Sequence, residues 1–127
     1  MKVLIIGSGG REHALAWKSA QDESVTDIFV CPGNAGTALE SKVTNISLDN
    51  NDFEAVEDFC KQNNISLVII GPEQPLVMGM TDYLQGKDIK TFGPSQAAAQ
   101  LEGSKTFSKD FFVCLLYTSD AADEVRR

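Results

Sequence analysis

Basic residues are scarce. Eleven Lys and Arg stand against 18 Asp and Glu, leaving a formal charge of −7. A general nucleic-acid surface needs a basic patch, so this balance argues against one. It leaves room for a single small anion held by backbone N–H groups. Long apolar runs are missing as well: none approaches the roughly 18 residues of a membrane span. At the N-terminus only Lys2 precedes a short apolar run, and no small-residue cleavage site follows it. No secretory signal is therefore expected, and the cytoplasm is the expected location. Cysteine is limited to Cys31, Cys60 and Cys114. The number is odd and no C-x-x-C spacing occurs, which argues against a disulfide framework or a zinc site and predicts buried, reduced thiols. Neither an internal repeat nor a low-complexity segment is present. What remains, 127 residues with 43% apolar and 23% charged, is one domain's worth of chain with enough material for a core.

Apolar runs and turn residues alternate along that chain. VLII before the first glycines predicts a strand over 2–6, and HALAWKSAQ predicts a helix over about 11–21, with Ala14, Leu15 and Trp17 among its apolar positions. IFVC predicts a second strand over 27–31, apolar throughout as a strand covered on both faces should be. A weaker strand follows over 43–47. Asp52 is placed to cap a helix of about ten residues, with Phe53, Val56, Phe59 and Cys60 on one face; Asn63 and Asn64 stop it. SLVII predicts a strand over 66–70, and 76–85 reads as one helix ended by Gly86. A short strand over 89–92 closes at Gly93 and Pro94. Ser95 then caps an Ala-rich helix, and Ser104 caps another running into KTFSKDFF. Strand and helix alternate at βαβ spacing, which predicts an α/β, doubly wound parallel sheet of about five strands. In such sheets ligands bind beyond the strand C-termini. Four loops fall there, at Gly7 to Gly10, Pro32 to Gly36, Gly71 to Pro75, and Gly93 with Pro94.

The first of these loops, GSGGREH, joins a buried strand to a helix. Its glycines allow a sharp turn and a close approach, and the helix N-terminus offers N–H groups to a phosphate. A dinucleotide fingerprint would need a third glycine where Glu12 stands. It would also need an acidic residue at the end of the second strand, where Cys31, Pro32 and Gly33 stand. Both are absent. Three readings stay open on the residues alone: a sugar-phosphate or nucleotide-binding module without catalysis, an NAD-linked oxidoreductase domain, and a tight structural turn.

GSGGREHALAWK, PGNAGT, GPEQPLVMGMTDYL and FGPSQAAAQLEGSKTFSKDFF, in this order and spacing, closely resemble the N-terminal domain of the glycinamide ribonucleotide synthetases (phosphoribosylamine–glycine ligases). The similarity runs over residues 1–112. It implies a Rossmann-like pre-ATP-grasp domain that does not bind NAD. The parent enzyme would use ATP and Mg²⁺ (or Mn²⁺) to activate glycine and join it to phosphoribosylamine in purine synthesis. Substrate-binding residues implied by the matching motifs are Gly9, Gly10, Arg11 and Glu12 in the first loop, Gly33, Asn34, Ala35 and Gly36 in the second, and Pro72 and Glu73 in the third. Lys105 matches an ATP-contacting lysine. His13 is expected to be packed or at the surface. PGNAGT, GPEQPL and LEGSK favour the glycine ligase over a carboxylase sharing this first domain.

Family members run to several hundred residues, so this sequence is expected to be an N-terminal fragment. The expected division is a pre-ATP-grasp domain over 1–103, the start of the ATP-grasp region over 104–112, and a non-native tail over 113–127, where VCLLYTSDAADEVRR departs from the family pattern. No catalytic residue, no metal ligand and no retained cofactor are expected in it, and no nucleic-acid or membrane partner.

Overall fold

A computed structural model describes residues 1–103. Five strands form one wholly parallel sheet in the order β3-β2-β1-β4-β5. The strands are β1 (Lys2–Gly7), β2 (Asp27–Pro32), β3 (Val43–Asn45), β4 (Leu67–Ile70) and β5 (Thr91–Phe92). Helix α1 (Gly10–Ala20) joins β1 to β2. A short 3₁₀ turn, Thr37–Leu39, precedes β3. Helix α2 (Phe53–Gln62) leads to β4, α3 (Glu73–Val77) and α4 (Met80–Gln85) lead to β5, and α5 (Gln96–Gly103) follows. The predicted helix over Lys105 and the domain divisions after residue 103 lie outside the described residues.

β1 is central because its side chains are apolar on both faces. Leu4 and Ile6 join Cys31, Val56, Cys60, Val68, Leu76, Met80 and Leu84 on one side. Val3 and Ile5 join Ala16, Val25, Ile28 and Val30 on the other. Side chains alternate along a strand, so this split requires helices on both sides: α1 covers one face, and α2, α4 and their neighbours cover the other. The strand order reverses between β1 and β4, and this reversal is the switch point of a doubly wound sheet. Register brings the loops level there. Gly7 pairs with Pro32, and Ile6 pairs with both Cys31 and Ile70. The ladder continues past the strand ends, since Gly33 N donates to Gly7 O (3.0 Å) and Gly71 N to Ile6 O (3.1 Å).

Local signals account for most boundaries. Asp52 caps α2, accepting from Ala55 N at 3.1 Å, and Ser95 Oγ accepts from Ala98 N at 3.2 Å at the start of α5. Three expectations need correction. The helix over 76–85 is two helices, because Gly79 has φ +95° and acts as the N-cap of α4; that conformation interrupts a right-handed helix. Helix begins earlier than expected, at Glu73, and Pro75 is accommodated in the first turn, where the N–H it lacks is not needed. Trp17 points outward with 52% exposure, and the buried residues of α1 are Glu12 and Ala16.

Candidate functional site

The turn after β1 is built from glycines for two different reasons. Gly7 has φ +139°, a region that side-chain-bearing residues rarely adopt. A Cβ there would also overlap the Glu12 side chain. Gly10 is the opposite case: a Cβ at this position would meet nothing within 4 Å. The fold does not require glycine there, and its lack of a side chain leaves the helix end open. Gly9 is the N-cap of α1 and has no side chain to cap it. The first backbone bond of the helix runs from His13 N to Gly9 O, 3.1 Å. The N–H groups of Gly10, Arg11 and Glu12 precede that bond and belong to the helix end, where the dipole favours negative charge.

Arg11 and Glu12 diverge from this end. Arg11 lies on the rim with 62% of its side chain exposed, and one of its N–H groups donates to Gly71 O. Its remaining guanidinium edge suits a phosphate or carboxylate. Glu12 turns inward and is 4% exposed. Its carboxylate fills the space above Gly7 and Gly71, where neither residue has a side chain, and Oε2 lies 3.2 Å from where a Gly9 Cβ would stand. Among the described residues its one ion-pair partner is Arg11, at 3.8 Å. Pro72 follows Gly71 as the N-cap of α3, and Glu73 is the exposed first residue of that helix. Glu73 is therefore held by a helix start.

The second loop is tied to the first. Asn34 Nδ2 donates to Ser8 O at 2.9 Å, so this amide is engaged in joining the two loops. Asn34 Oδ1 accepts from Thr37 N at 2.9 Å, and Thr37 Oγ1 accepts from Asn34 N at 2.8 Å. Asn45, the last residue of β3, completes the lock: its Nδ2 donates to Asn34 O at 2.9 Å, and its Oδ1 lies 2.7 Å from Thr37 Oγ1. Gly33, at φ +75°, packs against Asn45 and Thr37 so closely that a Cβ would overlap both. Ala35 is exposed at the loop tip. His13 packs over Gly36 and bonds through Nε2 to Glu40 Oε1 at 2.9 Å, in keeping with the packed or surface role expected. Sequence reasoning missed Thr37 and Asn45 as supports. The three-residue spacing from Asn34 to Thr37 carried a turn signal; Asn45 carried none, because only the pairing of β3 with β2 brings it there.

All ten expected substrate-binding residues, Gly9, Gly10, Arg11, Glu12, Gly33, Asn34, Ala35, Gly36, Pro72 and Glu73, thus lie at the C-terminal edge of the sheet. Lys105 lies outside the described residues. Two shallow concavities, one bordered by Lys18, Asp22 and Val25 and the other by Gln85, Lys90 and Phe92, include none of them. Strongly displaced titrations also fall elsewhere. Burial pushes the Cys60 thiol up to about 11, and the hydrogen bond to Glu57 pushes the Tyr83 hydroxyl up to about 12. Among the described residues no group of three or more His, Cys, Asp or Glu could hold a metal ion.

Residues 1–102 match the family described as phosphoribosylglycinamide synthetase, N domain. The phosphoribosylamine–glycine ligase of Vibrio parahaemolyticus is 58% identical over 111 residues, which is 87% of this chain and 26% of that protein. The enzyme of the same name from Escherichia coli K12 is 56% identical over the same shares. The chain therefore spans about a quarter of the length of these curated relatives. In solved structures, the biotin carboxylase domain of a thermophilic 2-oxoglutarate carboxylase superposes with TM-score 0.60 at 16% identity, covering 86% of this chain and 26% of that one. The biotin carboxylase subunit of a pyruvate carboxylase gives 0.59 at 15% identity over the same shares. At this identity the likeness is one of fold.

Proposed function

Because the chain belongs to the phosphoribosylglycinamide synthetase N-domain family, we propose that it forms the sugar-phosphate side of an ATP-dependent ligase that joins glycine to phosphoribosylamine in purine synthesis. The observation that carries this reading is the open, uncapped start of α1 at the edge where three loops meet. Backbone N–H groups at Gly10 and beyond, with the Arg11 guanidinium beside them, suit a phosphate monoester. Asn34 with Gly33, Ala35 and Gly36 sets the second wall, and Gly71, Pro72 and Glu73 the third. Glu12 lies at the base between them. No dinucleotide is bound, since the third glycine and the ribose-binding acid are both missing.

ATP supplies the energy of the ligation by activating the glycine carboxylate. ATP with Mg²⁺ (or Mn²⁺) is held by other parts of the longer enzyme, with Lys105 contributing a cation to the nucleotide. The part of the reaction assigned to residues 1–103 is to bind and orient the sugar phosphate. Alone, the 127-residue chain does not turn over, and it acts in the cytoplasm as part of the longer enzyme.

Titration of the 15N-labelled chain with ribose 5-phosphate and, separately, with NADH tests this. Ribose 5-phosphate is expected to shift the amides of Gly9 to Glu12 saturably, and NADH to shift none. Gly10→Ala fills the open helix end. It is expected to weaken the response to the sugar phosphate and to leave folding stability unchanged or higher, by up to about 1 kcal/mol, from helix propensity. A saturable NADH response with none to the sugar phosphate overturns the reading.

A further inference from the structure

The open helix end and the base beneath it carry opposite chemistry. On the rim stand the first N–H groups of α1 and the exposed Arg11, all suited to an anion. At the base stands the Glu12 carboxylate, 4% exposed. Among the described residues no hydrogen bond reaches it, and its ion pair with Arg11 spans 3.8 Å. Burying a carboxylate is unfavourable unless it is paired and hydrogen-bonded, and the dipole of α1 offsets only part of this. The surrounding backbone has nevertheless been shaped to receive it, because Gly7 and Gly71 lack the side chains that would occupy its place. The carboxylate is accommodated sterically and short of protein donors, and its side chain keeps 5% exposure, so a donor from a ligand can reach it and complete it.

Resting on the sugar-phosphate reading above, we infer that Glu12 is the specificity-determining residue of the site: it accepts an N–H group from the ligand's amine, while the phosphate stays on the rim. The site is then dipolar. It takes a phosphate at one end and an ammonium at the other, and it takes them in one orientation. The same carboxylate disfavours a second phosphate at the base by like-charge repulsion. A plain sugar phosphate, with a hydroxyl in place of the amine, still donates to the Glu12 carboxylate but brings no positive charge, so the ion-pair attraction is lost.

The test compares two stable ligands that differ in one group: the carbocyclic analogue of ribose 5-phosphate bearing an amine at C1, and its C1 hydroxyl counterpart. Binding of each to the wild-type 127-residue chain and to Glu12→Gln is measured by NMR titration, with thermal unfolding as the check on folding. Wild type is expected to prefer the amine by about tenfold, the ratio that 1.4 kcal/mol supplies. Glu12→Gln keeps the side-chain volume. It is expected to erase that preference while holding the alcohol within about twofold. Glu12→Asp, which retains the charge but withdraws it, should fall between the two, and it serves if Glu12→Gln does not fold. No preference in the wild type overturns the inference and leaves the sugar-phosphate reading standing. An undiminished preference in a folded Glu12→Gln does the same. A merely structural Glu12 lowers the unfolding temperature and weakens both ligands in proportion, which also overturns it. Binding of neither ligand overturns both readings together.

Discussion

Gly7→Ala is the perturbation that tests most directly how the glycine turn is built. Two costs add at this position. A side-chain-bearing residue at φ +139° is strained by about 1–3 kcal/mol. The new methyl also overlaps the Glu12 side chain at Cγ, Cδ and Oε1, and forcing a buried neighbour aside costs about 1–3 kcal/mol. Together these give a loss of about 2–6 kcal/mol, a large share of the roughly 5–15 kcal/mol that holds a small domain folded. A Glu12→Ala background separates them. There the overlap disappears and the backbone strain remains, so the cost of Gly7→Ala should fall by about 1–3 kcal/mol, read as a coupling energy. Gly71→Ala is the companion measurement. It meets the same Glu12 atoms without a left-handed backbone, so its cost should largely vanish in the Glu12→Ala background. Urea unfolding followed by far-UV circular dichroism is the assay, because Trp17 is already half exposed in the native state and reports folding poorly. A Gly7→Ala loss below about 0.5 kcal/mol, the scale of an ordinary surface change, would refute the reasoning. So would an equal loss in both backgrounds.

Two further predictions concern residues outside the site. Tyr83 Oη donates to Glu57 Oε1 at 2.7 Å, and Lys61 Nζ pairs with Glu57 Oε2 at 2.7 Å. Ultraviolet titration in a Tyr117→Phe background should find the Tyr83 hydroxyl pushed up to about 12, and Glu57→Gln should bring it back toward the ordinary 10. Lys61 first and Tyr83 second hold the Glu57 carboxyl below its usual range. The stability this contributes is present above pH 4.5 and is lost as pH falls through the lowered value. The Tyr83 contribution is present below pH 10 and is lost as pH rises through about 12. An unfolding midpoint in Glu57→Gln with the same acid dependence as wild type would contradict this. Cys31 and Cys60 are both buried, and burial pushes the Cys60 thiol up to about 11. With Cys114→Ser in place, a disulfide reagent at neutral pH should label neither thiol in the native chain and both in urea. Rapid native labelling would show that the core opens more readily than its packing implies.

The elements that could be read directly were those written in local chemistry. Asp52 ahead of an apolar periodic run announced α2 and its cap. IFVC announced a strand buried on both faces, and Ser95 announced the start of α5. The helix over 76–85 was misread because its periodicity runs through Gly79, and only the left-handed backbone there divides it. β3 and β5 came out shorter than expected because edge strands extend only as far as their single neighbour pairs with them. Within the site, the glycine loops and Arg11 were legible as a cradle at a helix end. Glu12 was legible only as an acid in a first helical turn. Its burial depends on the missing side chains of Gly7 and of Gly71, a residue 59 positions away.

By itself, then, the sequence determined which segments are strand and helix, that the sheet is parallel and doubly wound, and which loops crowd its C-terminal edge. Those properties follow from periodicity and caps, which act over a few neighbouring residues, and from the right-handedness that holds for any βαβ crossover. Only the tertiary structure decided how the loops serve one another: Asn34 holding the Ser8 carbonyl, Asn45 locking Asn34, Arg11 reaching Gly71, and Glu12 turned inward beneath the open helix end. These contacts join residues 11 to 60 positions apart. They exist because the register of β1 with β2 and β4 brings three strand ends level, and no local pattern in the chain encodes that alignment.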